Sequence, residues 1–382
     1  MRTLVYLFLA LSAQAAVLEF TGFEAGSNTD IYSCTGTYSI QSTVKYSGSY
    51  SLRVNPTSSA NGNCQFKAWG ATGAPVNLVS VPFYVGGRFR ADTIPSAGDE
   101  PLYEELPSSG NGTYLKLNSA GNIVVYSGAT LIATGATAIS AATWVYLQFS
   151  HATGAGAAYE VRINGVVELS GTATFSTGTP VYSLLGRGDN NGHLIDFYYD
   201  DWYFASTVHP TGVTGAVVKV LTPSGAGTYT GFSALFPSSG EAAYQDVNEI
   251  PQTSDTTYVQ APSGSVASTY TFAPLGAGTI LTVKAITIVK DVTSGASYQM
   301  RTRSSSTNTD TTAGDPGTSY VRYSQVFNTD PATGSAWTTG GVNAIEVGPV
   351  DANGTNRIRC TAAYAMVLYI PGTSRRHVVV VQ

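Results

Sequence analysis

Along this chain apolar and polar residues alternate in short runs, and Gly, Ser, Asn and Pro separate the runs. In the first half they include Ser49-Tyr50-Ser51-Leu52-Arg53-Val54, Val85-Gly86-Gly87-Arg88-Phe89-Arg90, Tyr114-Leu115-Lys116-Leu117 and Ile123-Val124-Val125-Tyr126. Trp144-Val145-Tyr146-Leu147-Gln148-Phe149 and Ala158-Tyr159-Glu160-Val161-Arg162-Ile163 continue the pattern. A period of two is what a strand shows when one face is buried and the other is wet. No stretch of twelve or more residues carries apolar positions at the i, i+3, i+4, i+7 spacing with plausible caps, so helices are not expected. Asn164-Gly165 lies between two such runs, and both residues tolerate the positive φ of a tight hairpin turn. The pattern predicts an all-β protein.

Asp200-Asp201-Trp202-Tyr203-Phe204 reads as a closing strand, and His209-Pro210-Thr211-Gly212 as a linker. Strands resume at Val217-Val218-Lys219-Val220 and run through 280–289, 298–303, 320–323 and 344–347 to Ala365-Met366-Val367-Leu368-Tyr369-Ile370. The expected organisation is a first β domain over 18–207, a linker over 208–215 and a second β-sandwich over 216–382. No tandem repeat is visible, which argues against a solenoid or propeller.

Composition narrows the function classes. Charged residues are 11% of the 382, and the formal net charge is −5. Nucleic-acid binders need a basic stripe to collect phosphates, and a net negative charge disfavours that class. Few charges with many Gly, Thr, Ser and Tyr point to an extracellular or assembled protein. Cys34, Cys64 and Cys360 form no CxxC pair, so a structural zinc site has no local support. A Cys34–Cys64 disulfide is open, with two buried thiols the simpler reading. Residues 1–17 are read either as a signal peptide, with Ala13-Gln14-Ala15 fitting the A-x-A cleavage pattern, or as an N-terminal strand. The run is too short and wrongly flanked for a membrane span.

Phe20-Thr21-Gly22-Phe23-Glu24-Ala25-Gly26, followed by Tyr46-Ser47-Gly48-Ser49-Tyr50-Ser51-Leu52, resembles the opening of concanavalin A-like (laminin-G-like) jelly rolls. The paired-aspartate string at 195–204 resembles their ending. The second half resembles the C-terminal module of tailed-phage structural proteins, through Tyr244-Gln245-Asp246-Val247-Asn248-Glu249-Ile250-Pro251, Thr329-Asp330-Pro331-Ala332-Thr333-Gly334 and Asn343-Ala344-Ile345-Glu346-Val347-Gly348. That resemblance implies a virion surface component whose partners are the major capsid protein or other virion proteins.

Candidate chemistry is sparse. Glu104-Glu105 and Asp99-Glu100 are adjacent acids that point to opposite faces if they lie in a strand, and here they read as a loop. Glu160 and Glu168 read as solvent-face charges. Asp196, Asp200 and Asp201 are the best acidic cluster, with Asp196 and Asp200 on one face of a regular strand. The Glu-x-Asp-x-x-Glu arrangement of glucanases is missing. Asp189, Asn190 and Asn191 offer oxygens for a calcium ion, although the same string makes a plain turn. His151, His193, His209 and His377 have no ligand-spaced partner, and no nucleophile elbow, P-loop or dinucleotide fingerprint appears. Tyr198, Tyr199, Trp202 and Tyr203 are candidates for glycan stacking or for an interface. Arg375, Arg376, Val378 and Val380 are candidates for assembly by strand addition.

The expected function is therefore a non-enzymatic virion protein, a capsid decoration or accessory, with no cofactor beyond a calcium ion. It is expected to be a homo-oligomer on the virion surface, with glycan contact through the jelly roll. The alternatives are a secreted or cell-surface carbohydrate-binding module and a tail or fibre component. No nucleic acid and no membrane span are expected.

Overall fold

The computed structural model describes residues 16–372 except 27–30, 32, 56–62, 67, 70–74, 77–82, 108–111, 178–179, 187–194, 207, 211–212, 238–241, 253 and 355–357. Among the described residues the chain is all-β, built from antiparallel sheets in sandwich-like pairs. The single α-helix there is the five-residue Thr339–Asn343, whose Thr338 hydroxyl accepts the Gly341 amide at 3.0 Å. No helix of the described residues is long and apolar enough to cross a membrane.

Two large sheets come from the first half, beside a two-stranded pair of Ala68–Trp69 and Pro75–Val76. In the seven-stranded sheet, Thr130–Ala138, Asn122–Ser127, Thr113–Asn118, Asp99–Pro107, Pro180–Leu185, Asn63–Phe66 and Ser33–Thr35 lie side by side. In the eight-stranded sheet the order is Val166–Phe175, Gly154–Ile163, Val145–His151, Phe83–Ala91, Phe197–Ala205, Ser51–Asn55 and Thr37–Gln41, with Val17–Thr21 also pairing to Phe197–Ala205. A six-stranded and a five-stranded sheet come from residues 217–371. Three buried clusters hold these sheets as a stack of four layers. Leu52, Phe89, Leu115, Phe149 and Trp202 lie between the seven- and eight-stranded sheets. Val259, Val283, Tyr298, Val347 and Val367 lie between the six- and five-stranded sheets. The third cluster joins the halves: Phe20, Tyr146 and Tyr203 of the eight-stranded sheet pack on Ile286, Ile288, Tyr364, Met366 and Leu368 of the six-stranded one. Apolar burial drives all three contacts.

The hairpin at Asn164-Gly165 is present, with φ of 53° and 83°. The closing strand is less regular than its sequence suggests. Asp201 has φ of 49°, and the pairing to Phe83–Ala91 slips between Asp200 and Tyr203. This bulge sends Tyr199 and Trp202 to one core and Tyr203 to the other, against simple alternation. Gly87 makes it possible, because a Cβ there would sit 2.4 Å from the Trp202 ring.

Cys34 and Cys64 are direct cross-strand partners and form a disulfide. The simpler expectation of two buried thiols is corrected: the register brings their Cα atoms to 4.1 Å. Cys360 is a buried free thiol, its pKa pushed up to about 12 by burial. Residues 99–107 are a strand rather than the expected loop.

Candidate functional site

The outer face of the seven-stranded sheet collects side chains of a different kind from its core. In Thr113–Asn118 burial alternates strictly: Leu115 and Leu117 enter the core, and Tyr114 and Lys116 point the other way. Tyr114 is the direct cross-strand partner of Tyr126 on one side and of Glu104 on the other. A row Tyr126–Tyr114–Glu104 therefore crosses three adjacent strands, with Lys116 two residues along on the same face. The Lys116 ammonium stands 4.6 Å from the Tyr126 ring centroid and 5.4 Å from that of Tyr114. Both distances are cation–π range. Among the described residues Lys116 has no ion-pair partner.

Two neighbours shape this row. Tyr126 Oη donates to Asp99 Oδ2 at 2.5 Å, and that hydrogen bond, with burial and the carboxylate charge, pushes the phenol pKa up to about 12. Gly112 lets the backbone pass close to this row, since a Cβ there would lie 3.0 Å from Tyr114 Oη and 3.2 Å from Glu104 Oε1. The face thus offers an ammonium on aromatic surface, while the Glu104 side chain of the row is itself buried.

Glu104 and Glu105 do diverge: Glu105 turns inward, and its Oε2 lies 2.8 Å from His151 Nε2 of the opposite sheet. Burial opposes charge on His151, yet the Glu105 carboxylate and the Ala152 carbonyl outweigh it and hold the pKa above its ordinary 6.5. Asp196 is engaged by Arg53 through Nε and Nη2 at 3.0 and 2.6 Å. Asp200 Oδ2 accepts from the Tyr46 and Ser47 amides at 2.8 and 3.1 Å. Asp201 accepts from the Ser47 hydroxyl and from the Val218 amide of the second half. Burial raises both carboxyl pKa values, that of Asp201 to about 7. These aspartates fasten loops and the two halves together; the register to Phe83–Ala91 is regular from Phe197 to Asp200 and slips only beyond it, so the bulge does not separate Asp196 from Asp200. Glu168 is not an idle surface charge either. Its carboxylate takes the Ala136 and Thr137 amides and the Thr137 hydroxyl, tying together the edge strands of the two sheets.

Tyr198, Tyr199, Trp202 and Tyr203 are all buried, so none presents a ring face for stacking. Tyr199 and Trp202 are core, and Tyr203 sits in the seam between the halves. Asp189, Asn190 and Asn191, and likewise Arg375, Arg376, Val378 and Val380, lie outside the described residues, as do residues 1–15. No group of three His, Cys, Asp or Glu able to hold a metal occurs among the described residues. Sequence reading missed the Tyr114–Lys116–Tyr126 set. Its signal was present as alternation in two successive strands, whose outward members include two tyrosines and a lysine.

No protein-family model matches this sequence, and no curated protein does. Similar solved structures include an endo-β-1,4-glucuronan lyase from the fungus Trichoderma reesei, at 12% identity over 48% of this chain and 93% of that one, with a TM-score of 0.38. A conserved carbohydrate esterase of the Shiga toxin-encoding bacteriophage phi24B is 12% identical over 51% of this chain and 100% of its own, TM-score 0.39. The alginate lyase Aly36B is 13% identical over 52% of this chain and 97% of that one, TM-score 0.34. The expectation of a non-enzymatic capsid decoration is corrected to this extent: these three structures are described as carbohydrate-active enzymes, and none of the three as a capsid decoration.

Proposed function

We propose that this protein binds an acidic saccharide on the outer face of the seven-stranded sheet. One observation carries the reading: Lys116 is held between two tyrosine rings with no carboxylate of the described residues to neutralise it. Other cations on aromatic rings in this protein, such as Lys284 on Phe20 and Arg88 on Tyr46, also reach a carboxylate or carbonyl of the chain, whereas the Lys116 ammonium is left to meet an anion from outside. The sugar's apolar C–H face would lie on tyrosine, and its carboxylate would take the ammonium. The first domain is assigned as a concanavalin A-like jelly roll, on the Phe23-Glu24 and Asp200-Asp201 strings and the two-sheet sandwich. The Cys34–Cys64 disulfide supports an extracellular or cell-surface location, where such bonds persist.

Lys116 and Tyr126 are also groups that transfer protons, and they adjoin. Cleavage of the bound glycan is therefore the second reading. Both are tested by titrating the full chain with a hexasaccharide of galacturonic acid and with one of glucose, while assaying for new chain ends. Preference for the acidic ligand supports the reading, and equal or no binding overturns it. New chain ends would select the second.

A further inference from the structure

The second half covers the eight-stranded sheet only in part. Tyr84, Gln148, Glu160 and Arg162 project from three adjacent strands of that sheet, and His209, Pro210, Val213 and Thr214 stand against them as a wall. The cavity between has a volume of about 440 Å³. A second cavity of about 430 Å³ adjoins it and shares Tyr84 and Glu160. Both fall in the size range of small-molecule sites.

The polar groups in the first cavity are held in place before any ligand arrives. Arg162 Nε donates to Glu160 Oε1 at 2.6 Å, and its Nη1 donates to the Gly165 carbonyl at 3.3 Å. Gln148 Nε2 donates to Tyr203 Oη at 3.3 Å, and that phenol shares a 2.7 Å hydrogen bond with His209 Nδ1. With Gln148 donating, the phenol hydrogen goes to Nδ1 and the ring proton of a neutral His209 sits on Nε2. Tyr84 packs edge-on against the same imidazole, 5.1 Å between centroids. A gap merely filled by solvent would not need its side chains tied to one another in this way.

The charge balance identifies the ligand class. Arg162 is compensated by Glu160. His209 stays neutral, because burial and the nearby Arg162 charge lower its pKa to about 3. What remains is a cleft with no net charge, with donors and acceptors side by side, and with Tyr84, Val208, Pro210 and Val213 as an apolar surface. Polyhydroxyl ligands need that combination: hydroxyls that both give and take hydrogen bonds, and a C–H face that does neither.

We propose that this cleft is a second saccharide site, which takes a neutral oligosaccharide laid across the two adjoining cavities past Tyr84. The inference stands apart from the reading of the seven-stranded face, which lies on the other side of the sandwich. Its test is calorimetric titration of the full chain with glucose, galactose, mannose and N-acetylglucosamine, and with a linear tetramer of each. At least one tetramer is expected to bind, more tightly than its monomer, and saturating galacturonic hexasaccharide is expected not to compete. Gln148→Ala and Glu160→Gln, each checked for an unchanged thermal midpoint, are expected to weaken that binding at least about tenfold. Should Gln148→Ala fail to fold, Glu160→Gln carries the test, because it keeps the size of the side chain. The site is refuted if no neutral tetramer binds, if Glu160→Gln binds as the parent does, or if the acidic hexasaccharide competes.

Discussion

The two sheets of the first sandwich begin from the same alternation of apolar and polar residues, yet their outer faces differ in how charge is matched. On the eight-stranded sheet the seam to the second half buries charge and gives it hydrogen-bond partners from the chain itself. Lys284 Nζ reaches from the six-stranded sheet to Glu19 Oε1 and the Phe20 carbonyl, and Arg88 Nη2 donates to the Thr214 carbonyl at 2.5 Å. Asn328 exchanges two hydrogen bonds of 3.0 Å with the backbone of Val17. Arg88 also lies on the Tyr46 and Tyr146 rings, but on the seven-stranded sheet Lys116 has tyrosine rings and, among the described residues, no such partner beside them. The contrast teaches how to sort charged residues in a sheet. A buried charge matched by its own chain belongs to the architecture, and one left for an outside anion marks a site.

The largest effect that sharpens this contrast is expected at the seam. Lys284→Met strands Glu19 in an apolar layer and is expected to cost about 3–5 kcal/mol in urea unfolding. Adding Glu19→Leu is expected to recover much of that, because a pair of apolar residues fills the space without desolvating charge. A single substitution as mild as a surface change would break the comparison.

A smaller loss is expected inside the sandwich. Glu105→Gln removes the charged partner of His151 and is expected to cost about 2 kcal/mol at pH 6. The raised pKa of His151 gives its contribution a direction. Stability from this group is complete below pH 6.5, the ordinary histidine value, and is lost as pH rises through the folded value. The variant is expected to lose that dependence, which unfolding curves at pH 6 and pH 9 would read. An unchanged slope would show that the pair does not titrate as a unit.

Next comes Arg53→Ala at the half-exposed Asp196 pair, where about 0.2–1 kcal/mol is expected, shrinking in high salt. The smallest stability change is expected at Lys116. Lys116→Met is expected to shift unfolding by no more than about 0.5 kcal/mol. A residue of the seam type would cost several times more.

Much of the architecture was legible in the chain. Alternation marked the strands, and Asn164-Gly165 marked the hairpin because few other residues accept two successive positive φ values. What alternation could not show is where it breaks. The bulge at Asp201 depends on room left by Gly87 in a strand more than a hundred residues away, so the fate of Trp202 and Tyr203 was not written locally. Asp99–Pro107 looked like a loop because Pro101 and Pro107 are poor strand residues, and its neighbours on both sides override that preference. The site was harder still. Aromatic density drew attention to 198–203, where the rings serve the cores, while the Tyr114–Tyr126–Glu104 row exists only through cross-strand register.

The central claim is that the face carrying Lys116 takes an anionic sugar. Its most direct test is the affinity of the galacturonic acid hexasaccharide for the parent chain and for Lys116→Met at two salt concentrations. The expected result is a loss of about tenfold or more on substitution, equivalent to about 1.4 kcal/mol, together with a weaker salt dependence in the variant. Equal affinity of the two chains, with the same response to salt, would contradict the account.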